Sequence, residues 1–215
     1  MKKTFLNADG KPVLEAMVKG IQENKDYLGT IDGLIGDGDH GMNMNKGFTM
    51  FWDQFGEEEI GFTDGIFELG NVLFAQIGGS MGPIYGSLFM GMSDAGEDVE
   101  EIGLPEFTAM MQGGRDELFE IIEARVGDKT LADTLIPAIE ALEEAVNAGR
   151  DFSEALFDMK VAAVSGRDST LDLEAKFGRA ARLGERSKGV LDAGATSCCI
   201  ILTAMADAIL ALLED

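Results

Sequence analysis

The chain has 215 residues, with 17 basic and 39 acidic side chains and a formal net charge of −22. That balance argues against a nucleic-acid-binding surface or an anionic membrane surface, since both rely on Lys and Arg to meet phosphate. With 46% hydrophobic residues and 13 Phe the chain has the apolar mass for a core, so disorder is excluded too, and its length suits one domain.

Taken in order, the start Met1-Lys2-Lys3-Thr4-Phe5 lacks the apolar stretch of a signal peptide. Helical periodicity then dominates: Leu14, Met17, Val18, Ile21, Leu28 and Ile31 recur at three-, four- and seven-residue steps. After a Gly-rich stretch ending at Gly41, Met44, Phe48, Phe51, Trp52 and Phe55 do the same. Further helices are expected over 64–77, 83–94, 104–125, 133–148, 153–166, 170–184 and 194–213. The breaks carry suitable punctuation at Gly78-Gly79, Gly82-Pro83, Gly127-Asp128 and Gly149-Arg150, and Ser153 is placed to cap a helix. No stretch alternates long enough to require a strand. The expected fold is all-α: around eight helices in one single-domain antiparallel bundle covering 1–215.

The two cysteines, Cys198 and Cys199, are adjacent in an apolar run, which suits neither a disulfide framework nor a zinc site. A reducing, cytoplasmic setting follows. The uncharged run from Ala193 to Ala206 falls short of the roughly 20 residues that span a bilayer.

The densest polar feature is Ile31-Asp32-Gly33-Leu34-Ile35-Gly36-Asp37-Gly38-Asp39-His40-Gly41. Its G-x-G-x-x-G spacing lacks the preceding strand of a dinucleotide fingerprint, and its aspartates would repel a bare pyrophosphate. Asp32, Asp37 and Asp39 could instead hold Mg²⁺, whose charge converts a phosphate-repelling loop into a phosphate-binding one. Equally open is a structural role, with Asp32 capping a helix and Asp37 and Asp39 making turns. Gly78-Gly79-Ser80-Met81-Gly82-Pro83 and Asp192-Ala193-Gly194-Ala195-Thr196-Ser197 look like helix starts with free N–H groups, suited to phosphate or to ordinary capping. Lys176, Arg179, Arg182, Arg186 and Lys188 cluster against Glu185 alone; several would share a helical face, as a phosphate site, an acidic-partner surface or a solvated face. Gly127-Asp128-Lys129-Thr130 is a weaker phosphate candidate. His40, the one histidine, could contact phosphate or transfer a proton. No Gly-x-Ser-x-Gly elbow supports a hydrolase.

Together with Asn43-Met-Asn-Lys-Gly-Phe48 and Gly184-Glu-Arg-Ser187, these stretches resemble the nucleotide-binding L subunit of the dihydroxyacetone kinases over essentially the whole chain. The resemblance implies an antiparallel eight-helix barrel with nucleotide at one end, held through two Mg²⁺ ions. It implies Asp32, Asp37 and Asp39 as metal ligands and, with His40, as the catalytic set. It implies nucleotide contacts at His40, Gly41, Met42, Asn43, Ser80, Met81, Leu131, Lys176, Asp192, Ala193 and Gly194. By the same resemblance ADP stays bound, a phosphohistidine carrier (M-type) subunit of the phosphotransferase system recharges it, and a separate K subunit presents the ketose through its own histidine. The chain departs from the family's pattern at Ser80-Met81, where Ala-Ser is common, at Ala193, where Pro is common, and at Val190, where His is common. Such departures fit a paralogous branch serving another short ketose, such as erythrulose. An ATP-dependent kinase subunit for another acceptor and a non-catalytic nucleotide sensor would use the same triad.

Overall fold

The structure, a computed structural model, describes residues 2–214. The first apolar periodicity is divided in two. Helix α1 (Lys11–Glu23) buries Val13, Leu14, Met17, Val18 and Ile21 and ends at Asn24, whose side-chain amide donates to the Gly20 carbonyl at 2.8 Å. Helix α2 (Lys25–Ile35) follows at once, burying Leu28, Ile31 and Ile35. Then come α3 (His40–Phe55), α4 (Phe62–Gln76), α5 (Met81–Asp94), α6 (Leu104–Ile121), α7 (Ala132–Ala148), α8 (Phe152–Ser169) and α9 (Ala193–Glu214). Two three-residue strands, β1 (Thr4–Leu6) and β2 (Glu101–Gly103), pair antiparallel with Phe5 opposite Ile102. They were not expected, because three residues are too few to display alternation.

Eight helices close a circuit. α1 packs on α3, each helix from α3 onward packs on the next, and α9 returns to α1, while α2 lies against α3 and α9. The expected eight-helix barrel is therefore present, with α2 as a ninth helix outside the ring. The first residues of α3, α5, α7 and α9 are gathered at one end, where residues at each of these starts line one cavity. The apolar stripes fill the interior: Phe48 meets Phe89 edge-on at 6.3 Å, and Phe107 meets Phe152 at 5.8 Å.

α9 is 22 residues long and, by length and composition, apolar enough to cross a bilayer. It outruns the uncharged run read from the sequence because Asp207 sits on its exposed side, paired with Lys160. Its Cys198, Ile201, Leu202, Met205, Ile209 and Leu213 are buried, with α1, α7 and α8 around them. Apolarity on most sides is what an interior helix of a bundle requires. A second long uncharged stretch, Leu69–Ser93, is divided between α4 and α5 by the break after Gln76.

Three sequence expectations are corrected. Residues 170–184 do not form an α-helix; turns lead into a 3-10 stretch at Ala180–Ser187, interrupted at Gly184 with φ 58°. Too few apolar side chains bury there to hold a helix, so its basic residues share no helical face. α6 ends at Ile121 because the chain turns extended at Ile122, not at 125. Ser153 lies inside the first turn of α8, and Asp151 occupies the position before Phe152.

Candidate functional site

At the end where α3, α5, α7 and α9 begin lies a cavity of about 500 Å³. One wall is the turn between α2 and α3. Gly38 there has φ 76°, a left-handed conformation that suits glycine. Gly41 lets α3 start directly against α2, where a Cβ would overlap the Lys25 carbonyl oxygen and lie 2.7 Å from the Gly29 nitrogen. These two glycines fold the turn tightly enough to bring carboxylate oxygens of Asp32, Asp37 and Asp39 within 4.8 Å of one another.

Asp32 extends from the last turn of α2 and accepts the His40 backbone N–H at 3.3 Å, so it does face a helix start, that of α3. Asp37 is exposed and paired with Arg179 at 2.7 Å. Asp39 precedes α3 without a side-chain capping bond. Burial first, then Asp37 and Asp32, raise the Asp39 carboxyl, while Arg179 lowers it. The three carboxylates thus crowd one another with a single guanidinium in partial compensation. An all-oxygen donor set of this kind fits Mg²⁺.

His40 is 8% exposed. Burial lowers its pKa to about 4 against the opposing effect of Asp32, so the ring is neutral near pH 7. Its Nε2 lies 2.8 Å from Ser197 Oγ, which is 2.6 Å from the Tyr85 hydroxyl; that hydroxyl also donates to the Gly194 carbonyl at 3.2 Å. This buried chain ties the starts of α3 and α9 to α5.

The remaining walls follow from the helix starts. Ser80 and Met81 open α5, Thr130 and Leu131 precede α7, and Asp192, Ala193 and Gly194 lead into α9; all line the cavity. Asp133 folds the 127–130 loop by accepting N–H groups from Gly127 at 2.6 Å and Thr130 at 2.8 Å. Asp192 caps α9 by accepting the Ala195 N–H at 2.7 Å. Four helix N-termini converging on one space favour an anion. Ile84, Ile121, Ile122, Leu131 and Phe177 give the cavity an apolar lining as well.

Of the residues singled out in the sequence, Asp32, Asp37, Asp39, His40, Ser80, Met81, Leu131, Asp192, Ala193 and Gly194 line this cavity. Gly41 is buried at the α2–α3 contact, Met42 is 63% exposed, and Asn43 continues the same turn of α3. Lys176 turns to Asp128, 2.6 Å away, and the cavity is reached instead by its neighbours Phe177, Gly178 and Arg179. Lys129 and Thr130, from the weaker phosphate candidate at 127–130, line it as well, and Tyr85 and the 121–124 segment do so without having been selected. Within a cluster of five basic residues the sequence offered no signal that sets Arg179 apart.

A family model described as the DAK2 domain matches residues 34–207. The ADP-binding subunit of PEP-dependent dihydroxyacetone kinase from Escherichia coli is 34% identical over 184 residues, covering 84% of this chain and 87% of that one. The ADP-binding subunit of PEP-dependent dihydroxyacetone kinase 1 from Listeria innocua is 37% identical over 186 residues, covering 86% and 88%. Among solved structures, the dihydroxyacetone kinase from C. freundii in complex with AMP-PNP and Mg²⁺ has a TM-score of 0.69 at 18% identity. That likeness is one of fold; it covers 96% of this chain and 35% of the longer kinase.

Proposed function

The chain belongs to the DAK2 domain family, and from that premise we propose that it is one nucleotide-binding domain, the ADP- and Mg²⁺-dependent phosphoryl-transfer subunit of a kinase for dihydroxyacetone or a related short ketose. The observation that carries this reading is the meeting of two opposed electrostatic features at one cavity: three clustered carboxylates and four helix N-termini. A cation-binding wall beside an anion-binding wall is the pattern a metal–phosphate ligand needs. The volume, about 500 Å³, is that of a small-ligand or cofactor pocket.

In this reading Asp32, Asp37 and Asp39 hold the metal, and the α3, α5 and α9 starts together with Arg179 orient phosphate oxygens. Ile121, Ile122, Leu131 and Phe177 enclose the base and keep water from it. Neutral His40 keeps the α3 start fixed to α9 through Ser197, and the dipoles of the site need no rearrangement during transfer. Held by the three aspartates and the helix starts, Mg²⁺–ADP would supply a phosphoryl relay, cycling between ADP and ATP, from a phosphohistidine carrier to a ketose on a separate K subunit. Exposed Leu34 and Met42, on the last turn of α2 and the first of α3, give a partner an apolar surface beside the aspartates.

Native mass spectrometry of the purified protein tests the reading. Retained ADP, with phosphoryl uptake from a phosphohistidine carrier, is the expected result. Freely exchanging ATP would move the donor to free nucleotide, nucleotide binding without phosphoryl transfer to any partner would make the chain a sensor, and no nucleotide binding at any Mg²⁺ concentration would refute it.

A further inference from the structure

Lys129 combines three unusual properties. It is 1% exposed, its backbone is left-handed with φ 61°, and it lines the cavity. A non-glycine residue rarely adopts that conformation, and an ammonium is rarely buried without strong compensation. Its Nζ donates to two backbone carbonyls, those of Thr170 and, at 2.5 Å, Val190. Asp192, Asp133 and Asp172 supply the surrounding negative field.

Thr170 and Val190 are the two ends of the loop that corrects the expected 170–184 helix. Its neck is also closed by the Gly189 N–H on the Leu171 carbonyl at 2.7 Å and by the Asp192 N–H on Thr170 Oγ1 at 3.0 Å. Inside, the Ala175 N–H meets Ser187 Oγ at 2.9 Å. At the far side, Lys176 donates to Asp128 through its backbone N–H at 3.2 Å and its ammonium at 2.6 Å. Adjacent residues thus fasten the loop at two points, Asp128 at the Lys176 side and Lys129 at the neck. In the Asp128 ion pair the Lys176 side chain is 61% exposed and solvent-screened, whereas the Lys129 contact is buried and charge-assisted.

We propose that Lys129 is a positioning residue for the nucleotide site: its ammonium pins the neck of the 171–189 loop, so that Phe177, Gly178 and Arg179 stay over the cavity. This rests on the cavity being the nucleotide site. The loop has little buried apolar surface of its own, only Ala175 and Ser187 being buried within it, so an unpinned neck would leave it free to open.

The test uses the full chain carrying Lys129→Gly, which keeps the left-handed backbone without strain, and Lys129→Met, which keeps the stem without the charge. Two quantities are measured: trypsin cleavage within 171–189 in nucleotide-free protein, and the dissociation rate of a fluorescent ADP analogue with Mg²⁺. Expected are loop cleavage and analogue release each at least tenfold faster than wild type, with unchanged helical circular dichroism, a change on the order of one charge-assisted hydrogen bond. Added propylammonium should restore slow release to the Lys129→Gly chain, which a purely structural defect would not allow. If Lys129→Met fails to fold, Lys129→Gly decides. Unchanged cleavage, or faster cleavage with unchanged release, overturns the proposal. If the wild type itself does not bind the analogue, the nucleotide reading falls and the positioning role with it, while the cleavage rates still show whether Lys129 closes the neck.

Discussion

Arg179 Nη2 lies 2.7 Å from Asp37 Oδ2, joining the loop before α9 to the α2–α3 turn at the cavity both line. The guanidinium occupies one side of a carboxylate that a metal ion would also use. A divalent cation held by the three aspartates, as proposed, would compete with Arg179 for Asp37 until an anion gave the arginine another partner.

Removing that competitor should tighten metal binding in the absence of nucleotide. In Arg179→Ala, Mn²⁺ binding to the nucleotide-free protein, followed by electron paramagnetic resonance, is expected to strengthen by a few fold, the modest size reflecting an exposed pair. Mg²⁺–ADP binding to the same variant should weaken. Weaker Mn²⁺ binding would show that Arg179 does not compete for Asp37.

Ser197 holds a central place in the buried chain, bonded to both His40 Nε2 and the Tyr85 hydroxyl. Ser197→Ala strands the buried His40 Nε2 and leaves the Tyr85 hydroxyl only its bond to the Gly194 carbonyl, and should cost roughly 1–3 kcal/mol of stability. Tyr85→Phe leaves Ser197 its bonds to His40 and the Gly194 carbonyl and should cost only about 0.5–1.5 kcal/mol. Urea unfolding with an unchanged m-value measures both, and the reverse ranking would contradict the chain as described.

Asp192 yields a pH dependence. Burial raises its carboxyl from 3.8 to about 6, partly offset by the Ala195 N–H and Lys129. The folded state thus holds this proton more tightly than the unfolded state. The stability gained is fully present below the unfolded pKa of 3.8 and is lost as pH rises through about 6. Asp192→Asn keeps a capping side chain but cannot ionise. Relative to that variant, the wild type should lose stability in urea between pH 4 and pH 7.5; a constant difference across that range would refute the assignment.

The sequence disclosed the helices wherever an apolar stripe was long, as in α3 with Met44, Phe48 and Phe51, and disclosed the carboxylate turn because glycines isolate Asp37 and Asp39 between helices. It concealed features that depend on contacts distant in the chain. Asn24 splits α1 from α2 with one side-chain bond to Gly20, leaving the periodicity on either side intact. The 171–189 loop has enough Leu and Ala to suggest a helix, yet its form depends on Lys129 and Asp128, more than 40 residues earlier. Arg179 was visible only as one basic residue among five, because its partner Asp37 lies far away in the chain, before α3.

The vicinal cysteines were read as structural, and α9 buries both. Burial raises both thiols, Cys198 far above the ordinary range. Neither should react with a disulfide reagent near pH 8 in the folded protein, and both should react once it is unfolded. Rapid labelling of the folded protein would show that this part of α9 opens on its own.

The most direct measurement of the central claim is calorimetric binding of ADP with Mg²⁺ to the wild type and to Asp37→Ala, with circular dichroism recorded for both. Asp37 is exposed and, among the described residues, its one ion pair is with Arg179, so its loss should leave the helices intact. Loss of a charged metal ligand should weaken Mg²⁺–ADP binding by on the order of 100-fold, roughly 3 kcal/mol. Undiminished ADP binding in a folded Asp37→Ala chain would contradict the metal role of the three aspartates.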